Sequence, residues 1–258
     1  MIIAIPVRDA SSNEQLRYAL RAWQNALPDA QPVVIGGRPH WYQGNHIPTN
    51  QQRGRDSQWR VNFPLALRAI IDSGLVREDE PFIWTADDIF PLSKGAGTIP
   101  DPHDLNRWPT WCRQLDLPIY VERWKTKRIT DTYTRMFIDG MQSQLNIIRE
   151  LGIETHGIHN ADIHLPHVLR PDRVRELLEI MARFPDHPAG HFRAIYGALW
   201  PGRVSRVVDP KIASPVGKPP ATAGWVSTCT SSWNGQTGAL LRRMFPHATA
   251  YEKRAGER

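Results

Sequence analysis

The first 37 residues of the chain alternate two apolar runs with one amphipathic run. Residues 2–7 (IIAIPV) are short, apolar and rich in β-branched side chains, which predicts a buried strand. Residues 14–27 carry apolar side chains at helical spacing, and Pro28 closes this segment. Residues 32–37 (PVVIGG) predict a second strand. Because strand, helix and strand follow one another, we expect an α/β chain with an open, mostly parallel sheet flanked by helices.

A further apolar run, residues 82–92 (FIWTADDIFPL), meets two neighbouring acids, Asp87 and Asp88. Its apolar part predicts a strand buried on both faces, and ligands of open α/β sheets bind beyond the carboxyl ends of such strands. Two carboxylates there suit a hard divalent cation that also takes water and substrate phosphate as ligands. Neighbours on an extended chain point in opposite directions, so both acids serve one site only if the strand breaks between them. The alternative is an acid pair in a surface turn.

The rest of the chain shows helical patterns at 61–74, 132–151 and 171–183. We interpret 93–131 as rich in loops, and the last part of the chain gives no clear pattern. The 22 prolines are spread through the connections, which favours long ordered loops over one linker. We therefore expect a single domain over residues 1–258.

Composition narrows the class of protein. No apolar run approaches the roughly 18 to 20 residues that a membrane span needs, and the N-terminus lacks the basic lead-in of a signal peptide. A hydrophobic fraction of 41% and a charged fraction of 22% are ordinary for a soluble globular protein. Cys112 and Cys229 are too few for a disulfide framework. These features predict a cytoplasmic protein with two reduced thiols.

Four histidines surround one acid in a short segment: His156, His159, His164 and His167, with Asp162 among them. Imidazole and carboxylate are zinc ligands, but the spacing matches no familiar zinc motif. A single histidine that joins the acid pair at a metal, or that acts on phosphate or a hydroxyl proton, fits the pattern better. The alternative is a loop with structural histidines.

A basic and aromatic stretch covers residues 107–128, with six Lys or Arg residues against two acids. The whole chain has a formal charge of +6 and ten tryptophans, and cations with exposed rings suit nucleic acid or another polyanion. Because the stretch follows the acid-bearing strand, it could overhang the same cleft and bind an acceptor. The alternative is a solvated loop whose tryptophans pack inward. The candidate contact residues are Arg107, Trp108, Trp111, Arg123, Trp124, Lys125, Lys127 and Arg128.

No P-loop, GxGxxG or GxSxG motif is present, so a nucleotide must be held in another way. Four separated segments, in order, resemble the Stealth family of sugar-phosphate transferases. The first is RDASSNEQLRYALRAWQNALPDAQPVVIGGRPHW, and the second is FIWTADDIFPL, where the family has a strand ending in Asn-Asp-Asp. The third, IHLPHVLRPDRVREL, is similar to its His-x-Pro-His segment, and the fourth, LLRRMFPHATAYEK, to its closing segment. Together they cover about a third of the chain.

That family is similar in turn to glycosyltransferases of the GT-A type, and the resemblance implies their fold and cofactors. It implies one α/β domain, a nucleotide-sugar donor that is UDP-linked, and Mn²⁺ or Mg²⁺ held by acids at a strand end. By resemblance, Asp87 and Asp88 would hold the metal and the donor diphosphate, and His164 would be a metal ligand or a catalytic group. The residues that would face the donor are Arg8, Arg17, Arg21 and Asn62.

The chain also departs from the family pattern. Ala86 stands where the family has Asn, and Thr249 stands where it has Ser. The acids are adjacent rather than in the Asp-x-Asp order of many metal-dependent glycosyltransferases, which leaves metal dependence open. The chain is also short, as in a minimal, phage-type member acting in an infected host cell.

These patterns together predict a glycosyltransferase that moves a sugar from a nucleotide-sugar to a hydroxyl on an anionic macromolecule. DNA with hydroxymethylated bases would fit both the charge and the rings, through base flipping. If the reaction inverts the sugar, a base is needed; Asp162 and His164 are candidates, and Asp131 is a weaker one. One alternative is Stealth-type transfer of a sugar-1-phosphate to a glycan or protein. A second is a non-catalytic nucleic-acid-binding domain.

Overall fold

The structure is a computed structural model that describes residues 1–8, 12–52, 61–92, 104–185 and 192–253. Within these ranges the chain forms nine strands and eight α-helices. The strands are β1 (Ile2–Val7), β2 (Gln31–Gly36), β3 (Asn45–Ile47), β4 (Phe82–Trp84), β5 (Ile89–Pro91), β6 (Thr110–Cys112), β7 (His167–Leu169), β8 (Val204–Arg206) and β9 (Trp225–Ser227). The helices are α1 (Glu14–Ala26), α2 (Phe63–Asp72), α3 (Leu117–Lys125), α4 (Thr132–Glu150), α5 (Pro171–Ala182), α6 (Arg193–Leu199), α7 (Thr230–Trp233) and α8 (Gln236–Met244).

The central sheet has five strands in the order β3-β2-β1-β4-β7. β1 pairs in parallel with both β2 and β4, β2 pairs in parallel with β3, and only the edge strand β7 runs antiparallel. The expected open, mostly parallel sheet flanked by helices is thus confirmed. In the described residues, no helix combines the length and the apolar character that crossing a membrane requires.

Side chains of β1 alternate between two apolar layers, one on each face of the sheet. Ile3 and Ile5 are buried in a cluster that includes the apolar face of α1. Ala4, between them, belongs to a second cluster that takes in apolar residues of α2, α4, α5 and α6. Successive side chains of a strand point to opposite faces of the sheet. Because both faces of this sheet are covered, every position of such a strand is buried, and its sequence is an unbroken apolar run.

The predicted helices at the N-terminus, at 61–74, at 132–151 and at 171–183 are all present, within about two residues at each end. The loop-rich interpretation of 93–131 is wrong over its second half, where β6 and α3 form; residues 93–103 lie outside the described part of the chain. α3 begins with proline in its first turn and buries Leu117 and Val121, one helical turn apart.

Glu252 joins the C-terminal segment to α1. Arg21 donates two hydrogen bonds to the Glu252 carboxylate, from Nε at 2.8 Å and from Nη2 at 2.7 Å, and Arg17 Nε lies 3.3 Å from it. The Thr249 N–H donates to the same carboxylate at 2.9 Å. The side chains of Arg21 and Glu252 are only 10% and 3% exposed. Removal of the Glu252 carboxylate would therefore leave the Arg21 guanidinium without its counter-charge in a place that water hardly reaches.

We expect Glu252→Ala to lower the free energy of unfolding by about 3 kcal/mol, because breaking a buried ion pair strands the partner charge. Urea denaturation followed by circular dichroism measures this loss. Glu154→Ala, at an exposed glutamate, is the control and should change stability by about 0.5 kcal/mol or less. Equal stability of the two variants would show that the Arg21–Glu252 pair does not hold the C-terminal segment in place.

Candidate active site

The two neighbouring acids lie in a tight turn between β4 and β5. β4 ends at Trp84, and the Ile89 N–H donates to the Ala86 carbonyl at 3.3 Å, which closes the turn around Asp87 and Asp88. The strand therefore breaks at the acid pair, which is the condition for both to serve one site. Both side chains line a cavity of about 430 Å³ beyond the carboxyl ends of β1 and β4.

Main-chain hydrogen bonds fix the turn on both sides. Before the acids, the Thr85 N–H donates to the Ala4 carbonyl of β1 at 3.1 Å. After them, β5 pairs antiparallel with β9, and the Thr228 N–H donates to the Asp88 carbonyl at 3.0 Å. The position of the acid pair thus depends on a strand that lies more than a hundred residues later in the chain.

Asp87 is held by the first turn of α1. Asn13 Nδ2 donates to Asp87 Oδ2 at 2.7 Å, and Asn13 Oδ1 accepts from the Leu16 N–H, so one side chain caps the helix and holds the acid. Burial, and next the negative charge of Asp88, raise the pKa of Asp87 to about 6, against the opposing effects of Asn13 and Arg8. Asn13 has φ of 30°, a left-handed conformation that asparagine tolerates better than most residues.

Lys211 supplies a positive charge beside Asp88. Its Nζ donates to Asp88 Oδ2 at 2.8 Å, and both side chains are largely shielded from water. Lys211 lies in the segment between β8 and β9 and forms a β-bridge with Ser227 of β9. It lines the cavity together with Arg8 and Arg193, so three cations face the same space as the acids.

His164 lines the cavity and is oriented by Asp209 behind it. His164 Nδ1 lies 3.0 Å and 3.1 Å from the two carboxylate oxygens of Asp209, and the Arg113 guanidinium pairs with Asp209 at 2.5 Å. Burial alone would raise the pKa of Asp209, but His164 and Arg113 outweigh it and hold that pKa well below its usual range. An anionic Asp209 favours the proton on His164 Nδ1, which leaves the lone pair on Nε2.

Asp162 lines the same cavity but is tied into a buried network. Gln144 Nε2 donates to Asp162 Oδ2 at 2.5 Å, and Gln144 Oε1 accepts from the Ala194 N–H of α6. Arg193, which precedes Ala194 in the chain, donates from Nη1 to the Ile163 carbonyl at 2.8 Å. Burial lowers the pKa of Arg193. Asp162 is therefore engaged by Gln144, whereas Nε2 of His164 has no hydrogen-bond partner among the described residues.

The acid pair has the chemistry of a divalent cation site. Asp87 and Asp88 are hard oxygen ligands. Burial, and next the charge of Asp88, raise the pKa of Asp87, and a cation relieves the repulsion between the two acids. Among the described residues no group of three or more His, Cys, Asp or Glu side chains is gathered around one point. Two carboxylates at a strand end suit Mg²⁺ or Mn²⁺ that takes one or two protein ligands together with substrate phosphates.

Several residues expected at the donor lie elsewhere. Of the four that the resemblance implied, Arg8 lines the cavity, whereas Arg17 and Arg21 pair with Glu252. Asn62 bonds the main chain of Gln52 through both its amide atoms. Asp131, the weaker candidate base, is exposed and caps α4 by accepting from the Thr134 N–H. The roles of Arg17, Arg21 and Asn62 at the donor, and of Asp131 as a base, stay predictions, and the contacts of these side chains in this structure are with other parts of the protein.

The basic and aromatic stretch does not overhang the cavity. Trp108 and Trp111 are both buried in the apolar cluster that includes side chains of β1 and α1, and Trp111 lies in β6, which pairs with β8. Arg107 pairs with Asp104, Lys125 pairs with Glu122, and Lys127 lies over the half-buried ring of Trp124. Arg123 and Arg128 are exposed. None of the eight candidate acceptor residues lines the cavity that holds the acids.

The residues that sequence reasoning missed come from the C-terminal part of the chain. Arg193, Asp209, Lys211 and Cys229 all belong to the site or contact it, yet they lie in segments without a helical or strand pattern that could have placed them. The one local signal is the run VVDPKI, in which an acid and a lysine flank a proline between apolar residues.

Comparisons with known proteins support the fold. No family model matches the chain, and a search of curated proteins finds no match either. Among solved structures, the chain is similar to the galactosyltransferase LgtC in complex with donor and acceptor sugar analogs, with 11% identity, coverage of 97% of both chains and a TM-score of 0.54. A structure of an active-site mutant of LgtC matches with 13% identity over 98% of this chain and 85% of that chain, at a TM-score of 0.45. The chain has the GT-A fold of LgtC.

Cys229 at the cavity edge should react with alkylating agents far faster than Cys112. Burial alone would raise the pKa of Cys229, but hydrogen bonds from Ser231 and Ser232 lower it to about 7, whereas burial raises the pKa of Cys112 to about 12. The rate of iodoacetamide labelling, followed by peptide mass spectrometry, should rise through a midpoint near pH 7 at Cys229 only. Cys229→Ser is the control and should leave the protein unlabelled. A midpoint at the ordinary thiol value of about 8.5 would contradict this assignment.

Proposed function

We propose that the protein is a glycosyltransferase that takes a sugar from a nucleotide-sugar and transfers it to a hydroxyl group. One observation carries this proposal: an acid pair and three cations face one cavity at the carboxyl ends of the parallel strands of a GT-A fold. Acids and cations together suit a diphosphate, whose oxygens accept from Lys or Arg and share a divalent cation with carboxylates. The cavity volume of about 430 Å³ lies within the range of small-molecule sites.

In the proposed reaction the acceptor oxygen forms a bond to the anomeric carbon while the bond from that carbon to the diphosphate oxygen breaks. The electron pair of the broken bond leaves with the nucleoside diphosphate. Lys211, Arg8 and Arg193 offset the charge that develops on this leaving group. A divalent cation held by Asp87 and Asp88 would supply further neutralisation of the diphosphate.

His164 is the base that we assign to the acceptor hydroxyl. Its Nδ1 is directed to Asp209, so Nε2 can take the hydroxyl proton as the new bond forms. The carboxylate of Asp209 then stabilises the imidazolium, because it already carries a full negative charge beside the ring. Asp162 remains the second candidate.

We further propose an anionic macromolecular acceptor, for which DNA with hydroxymethylated bases is the candidate. Support comes from the formal charge of +6. Binding of such an acceptor should weaken steeply between low and physiological salt, because neutralised phosphates release counterions. A neutral glycan acceptor would show little salt dependence.

The direct test is incubation with a panel of nucleotide-sugars, Mg²⁺ or Mn²⁺, and hydroxymethylated DNA, read by mass spectrometry. We expect release of nucleoside diphosphate and a hexose mass on the modified base. Release of nucleoside monophosphate would instead establish transfer of a sugar-1-phosphate, as in the Stealth family. Binding of DNA with no consumption of any nucleotide-sugar would leave only a non-catalytic role.

Asp88→Asn should lower kcat by on the order of 10²-fold, because it removes the charge that binds Lys211 and the cation while keeping the side-chain shape. Steady-state assays of nucleoside diphosphate release measure the loss. Asp139→Asn, at an exposed acid on α4, is the matched control and should keep full activity. Full activity of both variants would remove the acid pair from the mechanism.

Asp209→Asn should lower kcat less than His164→Gln, which we expect to lose roughly 10² to 10⁴-fold. The amide no longer fixes the imidazole proton on Nδ1, whereas the ring itself remains able to act as a base. A pH–rate profile separates this positioning role from a structural one, since only the former shifts the acidic limb of the profile. An unchanged profile in Asp209→Asn with equal thermal stability would contradict the assignment.

A further inference from the structure

Arg113 follows β6 and bonds to two residues of the site without lining the cavity itself. Its guanidinium makes contacts of two kinds. Nη2 pairs with Asp209 Oδ2 at 2.5 Å, and Nε donates to the Asp162 carbonyl at 2.7 Å. The Arg113 side chain is only 17% exposed, so water competes little for either partner.

Main-chain bonds bring the same two parts of the chain to β6. The Arg113 N–H donates to the Asn160 carbonyl at 2.8 Å, at the start of the loop that carries both candidate bases. The Val207 N–H donates to the Cys112 carbonyl at 2.9 Å, shortly before Asp209. The loop and the segment therefore meet at the end of β6, and the Arg113 side chain bonds to both of them.

The carboxylate of Asp209 needs a fixed orientation, because it must face the imidazole of His164. Oδ1 accepts from the Lys211 N–H at 3.2 Å and lies 3.0 Å from His164 Nδ1. Oδ2 lies 3.1 Å from the same nitrogen and pairs with Arg113. Because each oxygen has a donor besides the imidazole, the carboxylate cannot turn without losing a bond.

The geometry at this position requires an arginine and not merely a positive charge. A guanidinium is planar and presents several N–H groups in fixed directions, so one group can serve a carboxylate and a carbonyl at once. The ring of Tyr120 on α3 lies with its centroid 5.3 Å from Arg113 Cζ and attracts the cation. A lysine ammonium is a point charge on a flexible stem and would not hold both partners in place.

We propose that Arg113 is a positioning residue, which fixes the Asp209 carboxylate and the Asp162 main chain so that His164 presents Nε2 to the acceptor hydroxyl. This inference rests on the proposed glycosyltransferase function and adds a residue to that same site. Arg113 acts through its partners, because it does not line the cavity. Its loss should therefore slow the chemical step and leave donor binding unchanged.

The test is a double-mutant cycle between Arg113→Lys and Asp209→Asn, read by steady-state release of nucleoside diphosphate. We expect Arg113→Lys alone to lower kcat by roughly 10- to 100-fold, since small misplacements of catalytic groups have such effects. The Kd for UDP with Mg²⁺, measured by calorimetry, should stay within about twofold. In the Asp209→Asn background the same substitution should lower kcat by about threefold or less, because residues that act as a unit give non-additive losses.

Arg206→Lys is the matched control. Arg206 lies on the neighbouring strand β8 and likewise bonds one carboxylate, of Asp116, and one carbonyl, of Gln114. Because neither of these partners lines the cavity, kcat should stay within about twofold. Thermal unfolding checks the fold of each variant. If Arg113→Lys is unstable, Arg113→Gln takes its place in the cycle, with at least the same loss in kcat expected.

Two results would overturn the proposal: equal losses from Arg113→Lys with and without Asp209→Asn, or a loss no larger than that of Arg206→Lys. A rise in the Kd for UDP that accounts for the whole loss in turnover would also contradict it. An inactive wild type would refute the glycosyltransferase and this inference with it. An active wild type with additive losses would refute only the role of Arg113.

Discussion

The structure depends on one turn that places two carboxylates side by side at the end of a buried strand. Burial, and next the negative charge of Asp88, raise the pKa of Asp87, so the turn holds the acid pair at a cost in free energy. The chain offsets it with Asn13 on one acid and Lys211 on the other. Such an arrangement costs stability, and sites that retain strained or repelling groups are commonly functional. We interpret the turn as the place where an anionic ligand and a cation meet.

The C-terminal part of the chain supplies the contacts that fix the site residues of the first half. β9 pairs with β5 and fixes the turn, the segment before it brings Asp209 to His164, and the end of the chain is fixed to α1 by Glu252. The site therefore depends on contacts between residues far apart in sequence. The same segment carries Lys211, so one stretch of chain determines both the orientation of His164 and the positive charge beside Asp88.

Much of the fold could be predicted from the sequence, because strands covered on both faces and amphipathic helices leave clear apolar patterns. The acid pair could be predicted too, since the apolar run of β4 ends at Trp84 and the two acids follow it directly in the turn. The roles of Arg17 and Arg21 could not, because helical spacing does not show that Glu252 lies opposite them. Lys211 was missed for a similar reason: its partner is 123 residues away. Basic and aromatic composition suggested a binding loop, whereas Trp108 and Trp111 pack into the core.

The central claim is that the acid pair and Lys211 form a diphosphate site. The most direct measurement is calorimetric titration of UDP with Mg²⁺ into the wild-type protein and into Lys211→Gln. The account predicts one site per chain in the wild type and a Kd at least tenfold higher in the variant, because the ammonium group that would bind the phosphates is lost. An equal Kd in both proteins, or no binding to the wild type of UDP or any other nucleoside diphosphate, would contradict it.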